Sequence, residues 1–112
     1  MIREFIYTAK FDREWSALGL SDDDLCLLES FLLENPTAGA IMAGTGGIRK
    51  LRWILPHIGK SGGVRVLYID YLAYSKICVF DIFTKDEKDN LSRAERSSLK
   101  QIVKAIGEEF RK

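Results

Sequence analysis

The chain has 112 residues, of which 46% are hydrophobic and 11% aromatic, so a single domain over residues 1–112 with one core is expected. The charges of its 17 basic and 16 acidic residues nearly cancel, so the chain lacks the high net charge that is typical of disordered proteins. No apolar run approaches the ~20 residues of a membrane-spanning helix, and the charged start MIREFIYTAKFDREW is unlike a secretory signal. We therefore expect a cytoplasmic protein without a membrane partner, in which Cys26 and Cys78 are buried free thiols.

Three elements are predicted in the first third of the chain. The first seven residues, MIREFIY, are rich in β-favouring side chains and predict a strand. Large apolar residues recur at i, i+4 and i+7 from Phe11 to Leu18, which predicts a short helix that Gly19 ends. An S-x-x-D motif at Ser21 resembles a capping box and begins a second helix, which ends before Pro36.

The segment IRKLRWIL alternates between the two faces of a predicted strand. Lys50 and Arg52 share one face, whereas Leu51 and Trp53 share the other. The preceding residues 37–47 are small and glycine-rich, and we predict that they form a loop. The alternation therefore selects which basic side chains of this strand are able to act together.

Two more strands and a helix complete the predicted fold. Residues 64–74 and 76–84 are rich in β-branched and aromatic residues, and only a short connection separates them, which favours an antiparallel pair. An S-x-x-E capping box at Ser92 begins a final helix of about 18 residues. The order is β-α-α-β-β-β-α, which predicts an α+β fold: a mostly antiparallel sheet with helices on one face.

Positive charge is concentrated in residues 35–69, a segment without any acidic residue. Its basic residues are Arg49, Lys50, Arg52, Lys60 and Arg65, which leaves 12 basic and 16 acidic residues in the rest of the chain. If Arg52 and Arg65 face the same way, the basic residues of these neighbouring segments converge into one groove suited to phosphate: Lys50, Arg52, Lys60, Arg65, Lys85 and Lys88. The neighbouring rings of Trp53, Tyr68 and Tyr71 would then be stacking platforms for unpaired bases. The alternative is an ordinary solvated surface over core aromatics, and the acid-free span argues against it.

Two nucleotide-binding motifs are incomplete. The GKS at residues 59–61 would need glycine at Ile54 and a following helix to form a P-loop, and GTG at residues 44–46 would need glycine at Arg49 to complete GxGxxG. His57 is the only histidine, so a histidine-based metal cluster is excluded and no metal or cofactor is expected. A cysteine–histidine nucleophile pair stays open, although both cysteines have the apolar flanks of structural thiols.

The motifs GTGGIRKLRW, GKSGGVRVLY and FDIFTKDEKDNLS, in this order and at these spacings, resemble the RelE superfamily of type II toxin–antitoxin toxins, nearest its HigB/RelE-like branch. The resemblance extends over residues 5–106. It implies a microbial-RNase-like fold and a metal-independent endoribonuclease that enters the ribosomal A site. There the enzyme would cleave mRNA and so inhibit translation. Cleavage would proceed through attack of the ribose 2′-hydroxyl and give a 2′,3′-cyclic phosphate. It also implies a cognate antitoxin, often with a helix-turn-helix DNA-binding domain, through which alone the toxin would reach operator DNA.

The resemblance also implies roles for individual residues. Arg65 opens the G-x-R-V-x-Y strand, where the family has the arginine that holds the scissile phosphate. The expected catalytic residues are Arg65, Lys85, Lys50 and Arg52; the expected RNA-binding residues are Lys60, Lys88, Arg49, Glu87 and Asn90. The tyrosine that some members carry after the last strand has no match beside Asn90, so His57 is a candidate acid or base.

Two other functions stay open. One is a ParE-like toxin of the same fold that poisons DNA gyrase, and the other is a non-catalytic module that only binds its antitoxin or corepresses its operon. The basic set favours RNA cleavage over gyrase poisoning, because inhibiting gyrase through protein contacts needs no phosphate-holding cluster.

Overall fold

The computed structural model describes residues 2–55, 63–85 and 90–112 of the chain. Its elements in these ranges are β1 (Glu4–Tyr7), α1 (Ala9–Ala17), α2 (Asp22–Glu34), β2 (Ala40–Ile41), β3 (Arg49–Trp53), β4 (Val64–Tyr71), a 3₁₀ turn (Leu72–Tyr74), β5 (Lys76–Thr84) and α3 (Arg93–Phe110). All seven predicted helices and strands form. The two-residue strand β2 is additional and lies inside the predicted loop, because two residues are too few to show an alternating pattern.

Side chains cap the starts of all three helices. The Thr8 hydroxyl accepts a hydrogen bond from the first turn of α1. At the start of α2, the Ser21 hydroxyl accepts from the Asp24 N–H (3.1 Å) while the Asp24 carboxylate accepts from the Ser21 N–H (2.9 Å). Ser92 and Glu95 make the same reciprocal pair at α3, so both predicted capping boxes are confirmed. Across the described ranges, no helix is both long enough and apolar enough to cross a membrane.

The five strands form one sheet in the order β1-β5-β4-β3-β2. β1 runs parallel to β5, and each of the other three neighbouring pairs is antiparallel. The predicted α+β class and mostly antiparallel sheet are therefore confirmed. β4 and β5 are the long interior strands, so they form the framework on which the other elements are placed.

One face of the sheet is covered by α1 and α2. Val66 and Tyr68 of β4 point to this face, where they belong to the same buried cluster as Phe11 of α1 and Leu28 and Leu32 of α2. This cluster is the larger part of the core.

The other face is covered by α3, and this corrects the prediction that the helices lie on one face. Leu67 and Ile69 of β4 form a second buried cluster with Phe80 of β5 and Val103 of α3. Neighbouring residues of a strand point to opposite faces. Because β4 and β5 are apolar in nearly continuous runs, both faces of the sheet must be shielded from water.

The two cysteines differ in burial. Cys78 is buried in β5, whereas Cys26 is exposed on α2, and both thiols are free. The prediction of buried thiols is therefore wrong for Cys26, which follows Leu25 by one residue and so lies about 100° around the helix, towards the solvent-facing side. Burial raises the pKa of the Cys78 thiol to about 11.

Candidate nucleic-acid interface

Three cationic side chains lie side by side where β3 pairs with β4. Arg52 lies directly opposite Arg65, and Lys50 lies opposite Leu67. Directly opposed residues have Cβ atoms about 5 Å apart, and residues two apart on one strand lie about 7 Å apart on the same face. The predicted common orientation of Arg52 and Arg65 is therefore confirmed. We call Lys50, Arg52 and Arg65 the strand cluster.

The strand cluster belongs to the face of the sheet that α3 covers. Arg65 pairs with Phe83 of β5, which lies in the same buried cluster as Val103 of α3. Arg52 is exposed, Lys50 and Arg65 are half-buried, and neither arginine is without an interaction partner. Half-burial is typical of long cationic side chains, whose stems cover apolar surface while their charged ends stay in water.

Lys85 lies at the same end of the sheet as the strand cluster. It is exposed and directly follows Thr84, the last residue of β5, which pairs with the first residue of β4 beside Arg65. Asn90 is also exposed, and it precedes Leu91, which is buried beneath α3. The structure thus brings Lys85 to the Arg65 end of β4 and places Asn90 just before α3.

Arg49 is not part of the strand cluster. It pairs with Tyr68 and faces the opposite side of the sheet. Its Nη1 donates to the carbonyl oxygens of Gly39 (2.7 Å) and Thr37 (3.3 Å), so it ties the segment before β2 to β3. The remaining predicted site residues, His57, Lys60, Glu87 and Lys88, lie outside the described ranges.

The three proposed stacking rings are used in packing. Tyr68 is fully buried, with 0% of its surface exposed, so the prediction that it stacks on RNA bases is wrong. The ring of Trp53 packs against Phe31 of α2, with 5.0 Å between ring centroids, and the Tyr71 hydroxyl donates to a carbonyl of α3. Tyr68 and Trp53 are unavailable to the strand cluster because strand residues alternate between faces, and both rings point to the α1–α2 face.

The structure also has a buried carboxylate on the α3 face, that of Asp81, which the predicted site did not include. Leu67 pairs with Asp81, but the next residue of β4 pairs with Val79, so Phe80 is the extra residue of a β-bulge. As a result, Phe80 and Asp81, although adjacent in sequence, both line a cleft of about 390 Å³ between the sheet and α3. Asp81 accepts a hydrogen bond from Lys10 Nζ (2.5 Å), and it is 7% exposed. The one acidic residue in the apolar run KICVFDIFT is the sequence signal that could have revealed it.

The α3 face carries a buried acidic group among its cationic side chains. The Asp81 carboxylate is paired with Lys10 in an ion pair. Guanidinium groups bind phosphate through a planar fork and ammonium groups act as point charges. Across residues 2–55, 63–85 and 90–112, no group of three or more His, Cys, Asp or Glu side chains is arranged to hold a metal ion. The cationic groups on the described part of this face are of the types that bind phosphate.

Comparison with known proteins shows the family of the chain. A family model described as the RelE toxin of the RelE/RelB toxin–antitoxin system matches residues 4–110, nearly the whole chain. The chain belongs to the RelE toxin family. The predicted membership of the RelE superfamily is thereby confirmed.

Two solved structures share the fold of this RelE-family toxin. One is a mutant of the Escherichia coli toxin RelE in the free state, with 19% identity and a TM-score of 0.56, covering 80% of this chain and 90% of that chain. The other is from the intact E. coli RelBE toxin–antitoxin complex, with 20% identity and a TM-score of 0.53, covering 73% of this chain and 95% of that chain. At these identities the similarity is one of fold.

The two tyrosines of β4 are not placed to serve as acid or base beside Arg65. Tyr71 lies six residues further along β4, about 20 Å away, and burial raises its pKa to about 12. Burial also raises the pKa of Tyr68, and this side chain points to the opposite face. The strand cluster therefore has cationic groups but no tyrosine among its neighbours on β4.

Proposed function

We propose that this RelE-family toxin is a ribosome-dependent endoribonuclease, which cleaves mRNA in the ribosomal A site and thereby inhibits translation. The observation that supports it most is the strand cluster: Arg52 directly opposite Arg65, with Lys50 on the same face. Each guanidinium carries five N–H donors, so Arg52 and Arg65 are able to bind a phosphate in addition to the interactions they already make. An RNA phosphate is the anion that this fold and family favour.

In the proposed reaction, the ribose 2′-hydroxyl attacks the adjacent phosphorus and loses its proton to a base. The bond from phosphorus to the 5′-oxygen breaks, and this oxygen leaves as a 5′-hydroxyl after gaining a proton. The products are a 2′,3′-cyclic phosphate and a 5′-hydroxyl end. Negative charge accumulates on the phosphoryl oxygens in the transition state, where Arg65 and Lys85 neutralise it. Lys50 and Arg52 hold the RNA backbone in position.

The proton donor is a cluster lysine or His57. A lysine with the ordinary pKa of about 10.4 is a weak acid near neutral pH. Histidine as a residue type titrates closer to neutral pH, so His57 is the alternative donor, or the base. Lys60, Lys88, Glu87 and Asn90 are proposed to contact RNA around the scissile bond.

The proposed partner besides ribosome and mRNA is a cognate antitoxin, which neutralises the toxin in the cytoplasm. A helix-turn-helix domain on this antitoxin would connect the toxin to operator DNA. Family membership supports the antitoxin. Sequencing the adjacent reading frame, and copurifying its product with the toxin, tests it.

The decisive experiment is induced expression of the wild-type toxin and of Arg65→Ala in the same host. Removing one charge-stabilising donor from an active site costs about 100-fold or more in rate, so we expect Arg65→Ala to abolish growth arrest and mRNA cleavage. Arg13→Ala is the matched control, since Arg13 is exposed on α1, on the opposite side of the sheet, and its loss changes the net charge equally. Cleavage that persists undiminished in Arg65→Ala would refute the assignment.

A purified-protein assay separates the proposal from gyrase poisoning. We expect the toxin to cleave mRNA on translating ribosomes and to leave DNA supercoiling by gyrase unchanged. Inhibition of supercoiling without mRNA cleavage would instead support a ParE-like activity. Tight antitoxin binding with neither activity would support a non-catalytic module.

A further inference from the structure

A basic pocket lies between α3 and the loop that follows β2. Its volume is about 480 Å³, and its lining residues are Ala43, Gly44, Arg93, Arg96, Ser97 and Lys100. Three of these six side chains are cationic and none is acidic. This pocket is separate from the strand cluster, and we call Arg93, Arg96 and Lys100 the helix cluster.

The helix cluster follows from the spacing of charges on α3. Arg93, Arg96 and Lys100 recur at i, i+3 and i+7, which places them on one side of the helix. Glu95 is the only acidic residue between Leu91 and Gly107, and it lines the apolar cleft on a different side of α3. The positive charge of the pocket is therefore uncompensated by its own helix.

The chain holds one member of the helix cluster in place. Arg96 donates from Nη1 to the carbonyl oxygen of Ala43 (2.9 Å) and from Nε to that of Leu91 (3.4 Å). These two bonds use only part of the five-donor guanidinium fork. Arg93 and Lys100 are exposed, and within the described ranges neither of them is in an ion pair. The pocket thus has one fixed and two adaptable cationic groups.

The helix cluster and the strand cluster lie on the same side of the sheet. Ala40 of β2 pairs with Lys50, and Ala43, which Arg96 binds, follows three residues later, at most about 11 Å away along the chain. The loop then passes under α3, because a Cβ on Gly46 would lie 3.4 Å from Val103 and 3.6 Å from Lys100. A strand of a few nucleotides is long enough to reach from one cluster to the other.

We propose that the helix cluster binds the phosphodiester backbone of RNA, as an anchoring site a few nucleotides away from the bond that is cleaved. The inference takes the identity of the polyanion from the proposed function. It adds three residues outside the strand cluster whose task is affinity and placement of the RNA. Their spacing along one side of α3 suits successive phosphates, which such cations bind without reading the bases.

The test compares two double variants that lose the same charge. Arg93→Ala/Lys100→Ala removes the two exposed members of the helix cluster. Arg111→Ala/Lys112→Ala removes two exposed cations at the end of α3. Binding of each to a short single-stranded RNA is measured by fluorescence anisotropy across a range of salt concentrations. Each lost phosphate contact on a single strand lowers the slope of log K against log salt by about 0.7, so we expect the first variant to lose about 1.4 from this slope and the second to match wild type.

The possible outcomes separate this inference from the proposed function. Equal slopes for the two variants would overturn the anchoring site, even if wild type cleaves mRNA. A reduced slope for the first variant supports the site even if wild type cleaves nothing, since the assay needs no cleavage. A duplex DNA of equal length is the second arm, and a reduced slope on the duplex with an unchanged slope on the RNA would overturn the assignment to RNA. Impaired antitoxin binding with unchanged RNA binding would overturn the proposal in favour of a protein-binding pocket.

Discussion

Replacing Tyr68 with phenylalanine removes one oxygen atom from the most completely buried tyrosine of the sheet. That hydroxyl donates to the carbonyl oxygen of Pro36 (3.0 Å) and accepts from the N–H of Gly39 (3.1 Å), which is itself buried. A net hydrogen bond contributes about 1 kcal/mol, and a buried donor left without a partner costs about 1–3 kcal/mol. We therefore expect Tyr68→Phe to lower the free energy of unfolding by about 2–3 kcal/mol and Tm by about 10 °C.

The measurement is urea unfolding followed by tryptophan fluorescence, with Tyr74→Phe as the matched control. Tyr74 is 36% exposed, and its hydroxyl makes no hydrogen bond with the described part of the chain, so its loss should change the free energy of unfolding by less than about 0.5 kcal/mol. Because Gly39 immediately precedes β2, we also expect slower RNA cleavage, through looser support of the β3 edge. If Tyr68→Phe and Tyr74→Phe cost the same, the Tyr68 hydroxyl does not hold this segment.

Two further predictions concern the backbone and the pH dependence. Gly63 has φ +68°, and a Cβ there would lie 2.5 Å from the Trp53 carbonyl oxygen, whereas Gly44 has φ +78° with nothing within 4 Å. For Gly44→Ala we expect only the ~1–2 kcal/mol of left-handed strain, and Gly63→Ala should lower the free energy of unfolding by more than that. The inverse order of the two variants in urea unfolding would contradict this. Burial raises the pKa of Tyr71 to about 12, above the ordinary value of about 10, so the folded state keeps a proton that the unfolded state loses. The free energy of unfolding should then fall between pH ~10 and 12 by up to ~1.4 kcal/mol per pH unit, less steeply in Tyr71→Phe; an unchanged slope in that variant would count against burial as the cause.

Family membership and the elements of the fold could be predicted from the sequence, because their signals are local. Both capping boxes depend on residues three apart, and they begin α2 and α3 as expected. The alternation along β3 placed Lys50 and Arg52 on one face, since successive strand residues point to opposite sides. These patterns can be recognised without knowing the tertiary contacts.

The tertiary structure decided which parts of the chain share a surface. The position of α3 on the opposite face from α1 and α2 depends on which apolar side of the sheet remains uncovered. The bulge at Phe80 turns Asp81 into the cleft, where Lys10 neutralises it. The helix cluster reaches the loop after β2 only because α3 crosses that face. Contacts between distant residues depend on register and packing, which no single segment of the sequence specifies.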